Sequence, residues 1–85
     1  MPIPGGWYTC RVEKTGADDT GNIVVFLNEQ GGQFSNSFIA YPPIQRETLS
    51  IALTAISTGL LVEVLLDWGG EVVEGSTINR IHITR

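Results

Sequence analysis

The residues able to do chemistry in this chain are few and widely separated. His82 is the sole histidine and Cys10 the sole cysteine, and neither belongs to a metal-ligand spacing such as CxxC or HExxH. A Cys10–His82 couple would need both side chains brought together by folding alone, and no serine stands in a GxSxG setting that would present a nucleophile. Cys10 lies in a strand-like run and reads as a buried, inert thiol. His82 reads as an edge-strand or core-rim histidine. The paired acids Asp18-Asp19 and Glu71 with Glu74 fall in turn-rich stretches, where solvated turn chemistry accounts for them better than metal binding or acid–base work. The double glycines at 31–32 and 69–70 are followed by neither a lysine nor a helix, so they read as hairpin turns rather than phosphate cradles. Nucleophile, base and oxyanion donors are not jointly present, and the chain is expected to be non-enzymatic, with no metal and no cofactor.

Binding chemistry is better represented. Trp7, Tyr41 and Trp68 are aromatic residues outside the obvious core pattern. Trp68, between Asp67 and Gly69, could stack on a sugar ring while Asp67 accepts hydroxyl hydrogen bonds, a way to hold a neutral glycan. The plainer alternative, that Trp68 closes one end of the fold, carries more weight. A single-stranded nucleic acid would need basic residues among the aromatics, and only Arg11 and Arg80 could serve.

Charge and size agree with that picture. Five Lys and Arg stand against nine Asp and Glu, a formal net charge of −4, which disfavours a phosphate-backbone partner. Eighty-five residues make one small domain, 1–85, whose core must be compact or completed by a partner chain. With 42% hydrophobic and only 16% charged residues the chain is apolar for its size, and part of that surplus is expected to meet another subunit. The start, Met-Pro-Ile-Pro-Gly-Gly, has neither a basic nor an apolar leader region, and no apolar run approaches a membrane span. A soluble protein, cytoplasmic rather than exported and without a membrane partner, is the expectation.

The elements that must position these residues follow from periodicity. Residues 1–6 hold two Pro and two Gly and read as a loose lead-in. WYTCRVEK alternates, with Tyr8, Cys10 and Val12 on one face; NIVVFLN is apolar on both faces; QFSNSFIAY is a mixed third strand ending at Pro42. LLVEVLLD forms a fourth strand broken by Asp67-Trp68-Gly69-Gly70, and TINRIHIT a fifth, with Asn79, Ile81 and Ile83 opposite Ile78, Arg80 and His82.

Between the third and fourth strands lies the only segment with helical spacing, Gln45 to Gly59. At about 100° per residue, Leu49, Ala52, Leu53 and Ile56 share a face, the expected core face. The opposite face gathers Glu47, Ile51, Thr54, Ala55 and Thr58, a set with no cation, and is the expected subunit contact. The predicted core is Val12, Val25, Leu27, Leu49, Leu53, Ile56, Val64 and Ile81.

The order β-β-β-α-β-β, carried by TLSIALTAISTGLLVEVLLD (Thr48 to Asp67) and INRIHIT, resembles the OB-fold, a five-stranded Greek-key barrel with one helix. The helix running into a glycine and then a V-x-V strand is similar to the join in B subunits of AB5-type toxins and their OB-fold relatives. In size and in lack of motifs the chain also resembles orphan proteins carried by mobile gene cassettes. The toxin-subunit resemblance implies a non-catalytic, glycan-binding homo-oligomer, a pentamer with the helices at its centre. The functions weighed are an oligomeric module binding a glycan or protein, a purely structural assembly subunit, and a nucleic-acid-binding OB domain, the last disfavoured by charge.

Overall fold

A computed structural model describes residues 3–84, with the side chain of Trp68 outside the described set. The chain is mainly β with one α-helix. In order, β1 spans Ile3–Ala17, β2 Ile23–Glu29 and β3 Ser35–Ala40; a 3-10 turn at Pro42–Ile44 leads into α1, Gln45–Thr58; then come β4, Leu61–Val72, and β5, Thr77–Thr84. The sheet closes on itself in the order β1-β2-β3-β5-β4. All neighbours are antiparallel except β3 and β5, which meet in parallel over Ile39–Thr77 and Ala40–Ile78.

Closure depends on the length of β1. Its first half pairs with β4 and its second with β2, and Cys10 stands at the handover, opposite both Val62 and Glu29. Side chains alternate across a strand, so one face of each strand fills the inside of the ring. Leu27, Val25, Phe38, Val62, Val64, Leu66 and Ile78 are fully buried there. Tyr8 packs its edge against Phe34, and Phe34 against Phe38, with ring centroids 5.3 and 5.4 Å apart. Carboxylates organise two turns. Asp18 Oδ1 accepts from the Thr20 and Asn22 amides at 3.0 and 2.9 Å and from the Thr20 hydroxyl at 2.7 Å. Glu29 Oε1 accepts from the Gln33 amide at 3.1 Å.

Four expectations are corrected. Residues 3–6 are not a loose lead-in: Ile3 pairs with Val72 and Pro4 with Glu71, so they begin β1. Nor do the residues after Asp67 end β4. Pro4 pairs with Glu71 and Gly6 with Leu66, so positions 67–70 bow out of the ladder while the strand resumes beyond them. The approach is so close that a Cβ at Gly5 would collide with the Asp67 carbonyl oxygen, and Asp67 itself takes a φ of 43°. Gly69 and Gly70 therefore shape an excursion within one strand; the β4–β5 hairpin turns at 73–76, closed by Ser76 N–H donating to Val73 O at 3.0 Å. In β5, Ile78 and Ile81 both face inward, because Ile78 pairs with Leu66 and Arg80 with Leu65, leaving Asn79 as an extra, bulged residue that shifts the alternation.

The fourth correction is the phase of α1. The helix ends as expected at Gly59, whose left-handed φ of 72° closes it with an N–H to Ala55 O bond of 2.8 Å. The face against the sheet, however, is Thr48, Ala52 and Ala55, all buried, with Ile51 and Leu49 packed at its margins. Leu53 is 50% and Ile56 42% exposed. The reason is size: Phe38, Leu27 and Ile78 already fill the ring, so the helix approaches through its smallest residues and its larger aliphatics turn to the rim. Of the predicted core, Val12, Val25, Leu27, Val64 and Ile81 are buried, Leu49 is half-buried, and Leu53 and Ile56 lie at the surface. Of the residues expected on an outward face, Ala55 is buried against the sheet and Ile51 is half-buried at the margin of that contact; Glu47, Thr54 and Thr58 are exposed. Among the described residues no helix is long and apolar enough to cross a membrane.

Candidate functional site

The outer face of the β1–β4–β5 side carries the aromatic and charged residues that the core does not use. Trp7 pairs with Leu65, and Leu65 with Arg80, so three neighbouring strands bring these side chains into one row. The next row outward along β4 and β5 sets Glu63 opposite His82. Trp7 stacks on His82 with ring centroids 5.1 Å apart and planes at 27°. His82 Nε2 lies 3.2 Å from Glu63 Oε1. One face of the indole is thus covered by the imidazole, and Trp7 as a whole remains 45% exposed. Leu65, although it faces outward, is 9% exposed. It lies beneath this cluster.

Tyr41 completes the arrangement from the other side. It precedes Pro42 at the end of β3, its amide donating to Ile78 O at 3.1 Å, and its side chain is 44% exposed. Trp7, Tyr41, Leu65, Asn79 and Arg80 enclose an open groove of ≈ 550 Å³. A second lobe of ≈ 390 Å³ adjoins it under α1, sharing Tyr41, Asn79 and Arg80 and adding Glu47, Thr48, Ile51 and His82. Thr48 is the polar exception in this helix. Thr54, Ser57 and Thr58 donate their hydroxyls to the carbonyl four residues back, at 2.9, 2.9 and 2.8 Å, whereas the Thr48 hydroxyl is buried with no partner.

Of the residues singled out from sequence, Trp7 and Tyr41 share the groove. Asp67 does not line it; it belongs to the excursion, where its side chain abuts Gly70. The Trp68 side chain lies outside the described residues. Leu65 and Asn79 were not anticipated. Asn79 enters through the β5 bulge, and no periodicity in TINRIHIT announces a bulge; Leu65 shares its face of β4 with Leu61, Glu63 and Asp67, and that mixed pattern does not single it out.

The remaining candidates separate. Cys10 is buried against the core, and that burial, with the Glu29 carboxylate adding to it, pushes its thiol up to about 12. His82 is on the outside of the ring, so the two face opposite sides of the sheet. Desolvation, and then Glu29, also raises the Tyr8 phenol, whose hydroxyl donates to the Pro4 carbonyl. Asp18 is lowered, first by the Thr20 hydroxyl and then by the Asn22 amide. Among the described residues, no group of three His, Cys, Asp or Glu side chains gathers in a metal-binding arrangement. Comparison with protein-family models, with curated proteins and with solved structures yields no match to this chain.

Proposed function

We propose that this chain is a non-enzymatic binding module of the OB-fold type that takes a glycan in the groove between Trp7 and Tyr41. The observation that carries the proposal is that two large aromatic residues, 45% and 44% exposed, flank one concavity whose remaining polar wall is Asn79 and Arg80. Sugar rings present an apolar C–H face to an indole and hydroxyls to an amide or guanidinium, and this groove supplies both kinds of surface. Support for the OB-fold assignment comes from the ring order β1-β2-β3-β5-β4 with a single helix between β3 and β4. Support for a non-enzymatic role comes from Cys10, which burial keeps protonated, and from its separation from His82 across the sheet.

Self-association belongs to the same proposal, with its contact moved. Leu53 and Ile56, with Leu49 at their margin, form the apolar stripe that α1 leaves in water. A ring of five, as the resemblance implies, would meet through that stripe rather than through Ile51 and Ala55. A nucleic-acid ligand is disfavoured, since the net charge is −4 and Arg11 lies 3.9 Å from Glu13.

The test is a glycan array followed by calorimetric titration of any hit into the wild type, Trp7→Ala and Trp7→Phe. Loss of the indole should weaken binding about three- to tenfold, and phenylalanine should restore part of it. The competing role for Trp7 is to cover Leu65, in which case Trp7→Ala lowers the melting temperature and no saccharide binds either protein. Light scattering decides the assembly: a monomer at tens of micromolar removes self-association from the proposal.

A further inference from the structure

Thr48 stands apart from the other hydroxyls of α1. Thr54, Ser57 and Thr58 each donate to the carbonyl four residues back, whereas the Thr48 hydroxyl, whose corresponding acceptor is the Ile44 carbonyl, is fully buried with no partner among the described residues. A hydroxyl in that state has given up water and gained nothing in return, so its place is accounted for when a further group supplies the missing bond. Thr48 borders the lobe of ≈ 390 Å³ under α1, whose lining is predominantly apolar through Ile44, Ile51 and Ile81. We propose that this lobe is a subsite for the acetamido group of an N-acetylated sugar, whose carbonyl accepts from Thr48 Oγ1 and whose methyl packs against the isoleucines. The inference rests on the glycan-binding proposal and names the class of glycan.

An acetamido group answers both features of the lobe at once. An alkyl chain would fill the aliphatic walls and leave Thr48 unpaired. A sugar hydroxyl would pair with Thr48 and strand its remaining hydrogen-bonding capacity against those walls, and a carboxylate would have to shed the water around its charge. The acetamido group is neutral, brings an acceptor oxygen and a methyl, and carries an N–H that the exposed Glu47 carboxylate on the same lobe can accept. The lobe also adjoins the outer groove, with Tyr41, Asn79 and Arg80 common to both, so a pyranose ring and its acetamido substituent occupy neighbouring spaces. An acetylated lysine carries the same amide but brings no ring to the Trp7 and Tyr41 walls, which favours the sugar. Thr48 exposes no surface in the free protein, so the carbonyl reaches it as partly exposed lining side chains change rotamer, a common adjustment on binding.

The test pairs sugars that differ only in that group: N-acetylglucosamine with glucose, N-acetylgalactosamine with galactose, and N,N′-diacetylchitobiose with cellobiose. Each is titrated into nitrogen-labelled wild type, Thr48→Val and Thr48→Ser and followed by NMR. In the wild type the acetamido member of a bound pair should bind about five- to tenfold tighter and shift the Thr48 and Ile51 amides, while both members shift the Trp7 indole N–H. Thr48→Val removes the hydroxyl and keeps the shape, so it should reduce the ratio to about twofold or less, and Thr48→Ser should keep most of it. Equal affinity within each wild-type pair, or glycan-array hits confined to sugars without an acetamido group, overturns the subsite and leaves the glycan proposal standing; neither result needs a variant to fold. A ratio unchanged in Thr48→Val overturns the role of the hydroxyl, and a lowered melting temperature beside it marks Thr48 as holding an internal water instead. N-acetyl-lysine amide binding as tightly as the best acetamido sugar overturns the sugar as the source of the group. If neither the array nor these sugars bind, the glycan proposal and the subsite fall together.

Discussion

Exchanging the two neighbouring helix positions Ala52 and Leu53 measures which face of α1 meets the sheet. Ala52 is 0% exposed beneath the helix, so Ala52→Leu adds three heavy atoms where there is no room; overpacking of this kind costs about 1–3 kcal/mol. Leu53 is 50% exposed. Full burial of a leucine is worth about 1.5–3 kcal/mol, and with half of the side chain in water Leu53→Ala should cost about 1 kcal/mol or less, a loss further offset by the better helix propensity of alanine. In a domain whose total stability is on the order of 4–13 kcal/mol, the difference is easily resolved. At about 4–8 °C per kcal/mol, Ala52→Leu should lower the melting temperature by roughly 5–20 °C and Leu53→Ala by about 8 °C or less. Urea denaturation followed by circular dichroism, at two protein concentrations, separates loss of folding from loss of association. A loss of 2 kcal/mol or more in Leu53→Ala (order of magnitude for a buried leucine), together with a neutral Ala52→Leu, would refute the helix orientation and return Leu53 to the core.

Cys10 should be silent towards a thiol reagent in the native protein at pH 8, because a thiol pushed up to about 12 is ionised in roughly one molecule in ten thousand. Labelling should proceed only on unfolding in denaturant, and rapid stoichiometric labelling of the folded chain would contradict the burial. The lowered Asp18 carboxyl should titrate by NMR below the ordinary aspartate range. Its folded-state value lies below its unfolded one, so the stability it supplies is complete above the unfolded value and is lost as pH falls through the folded value. Asp18→Ala should therefore be less stable than the wild type at neutral pH, the two should converge in acid, and a gap that persists at the lowest pH would exclude the turn carboxylate as its cause.

Local chemistry made much of this molecule legible. Helix limits were marked by Pro42-Pro43 and Gly59, because a fixed φ suits the start of a helix and a glycine accepts the left-handed end. β5 was legible residue for residue as Thr77–Thr84. Its inward face was not, since the alternation of TINRIHIT holds only until Asn79 slips out of register with β4. The pairing of Pro4 with Glu71 was equally hidden, for proline and glycine near a terminus look like a lead-in until a partner strand arrives 67 positions away.

Each element's kind and period can be read along the chain alone: alternating apolar residues along Tyr8–Val12 and Val62–Leu66, and a 3.6-residue period in α1. Which side of a period faces inward, and which outward residues become neighbours, is settled by packing between elements. A helical period with aliphatics at Leu49, Leu53 and Ile56 and small residues at Ala52 and Ala55 offers more than one burial solution. The choice fell to the volume left inside the ring, already filled by Phe38, Leu27 and Ile78, which admits small side chains and excludes large ones. In the same way Trp7, Glu63 and His82, spread over 76 positions of chain, meet through β-ladder register alone, because hydrogen-bonded pairing across three strands is a long-range constraint that no local pattern records.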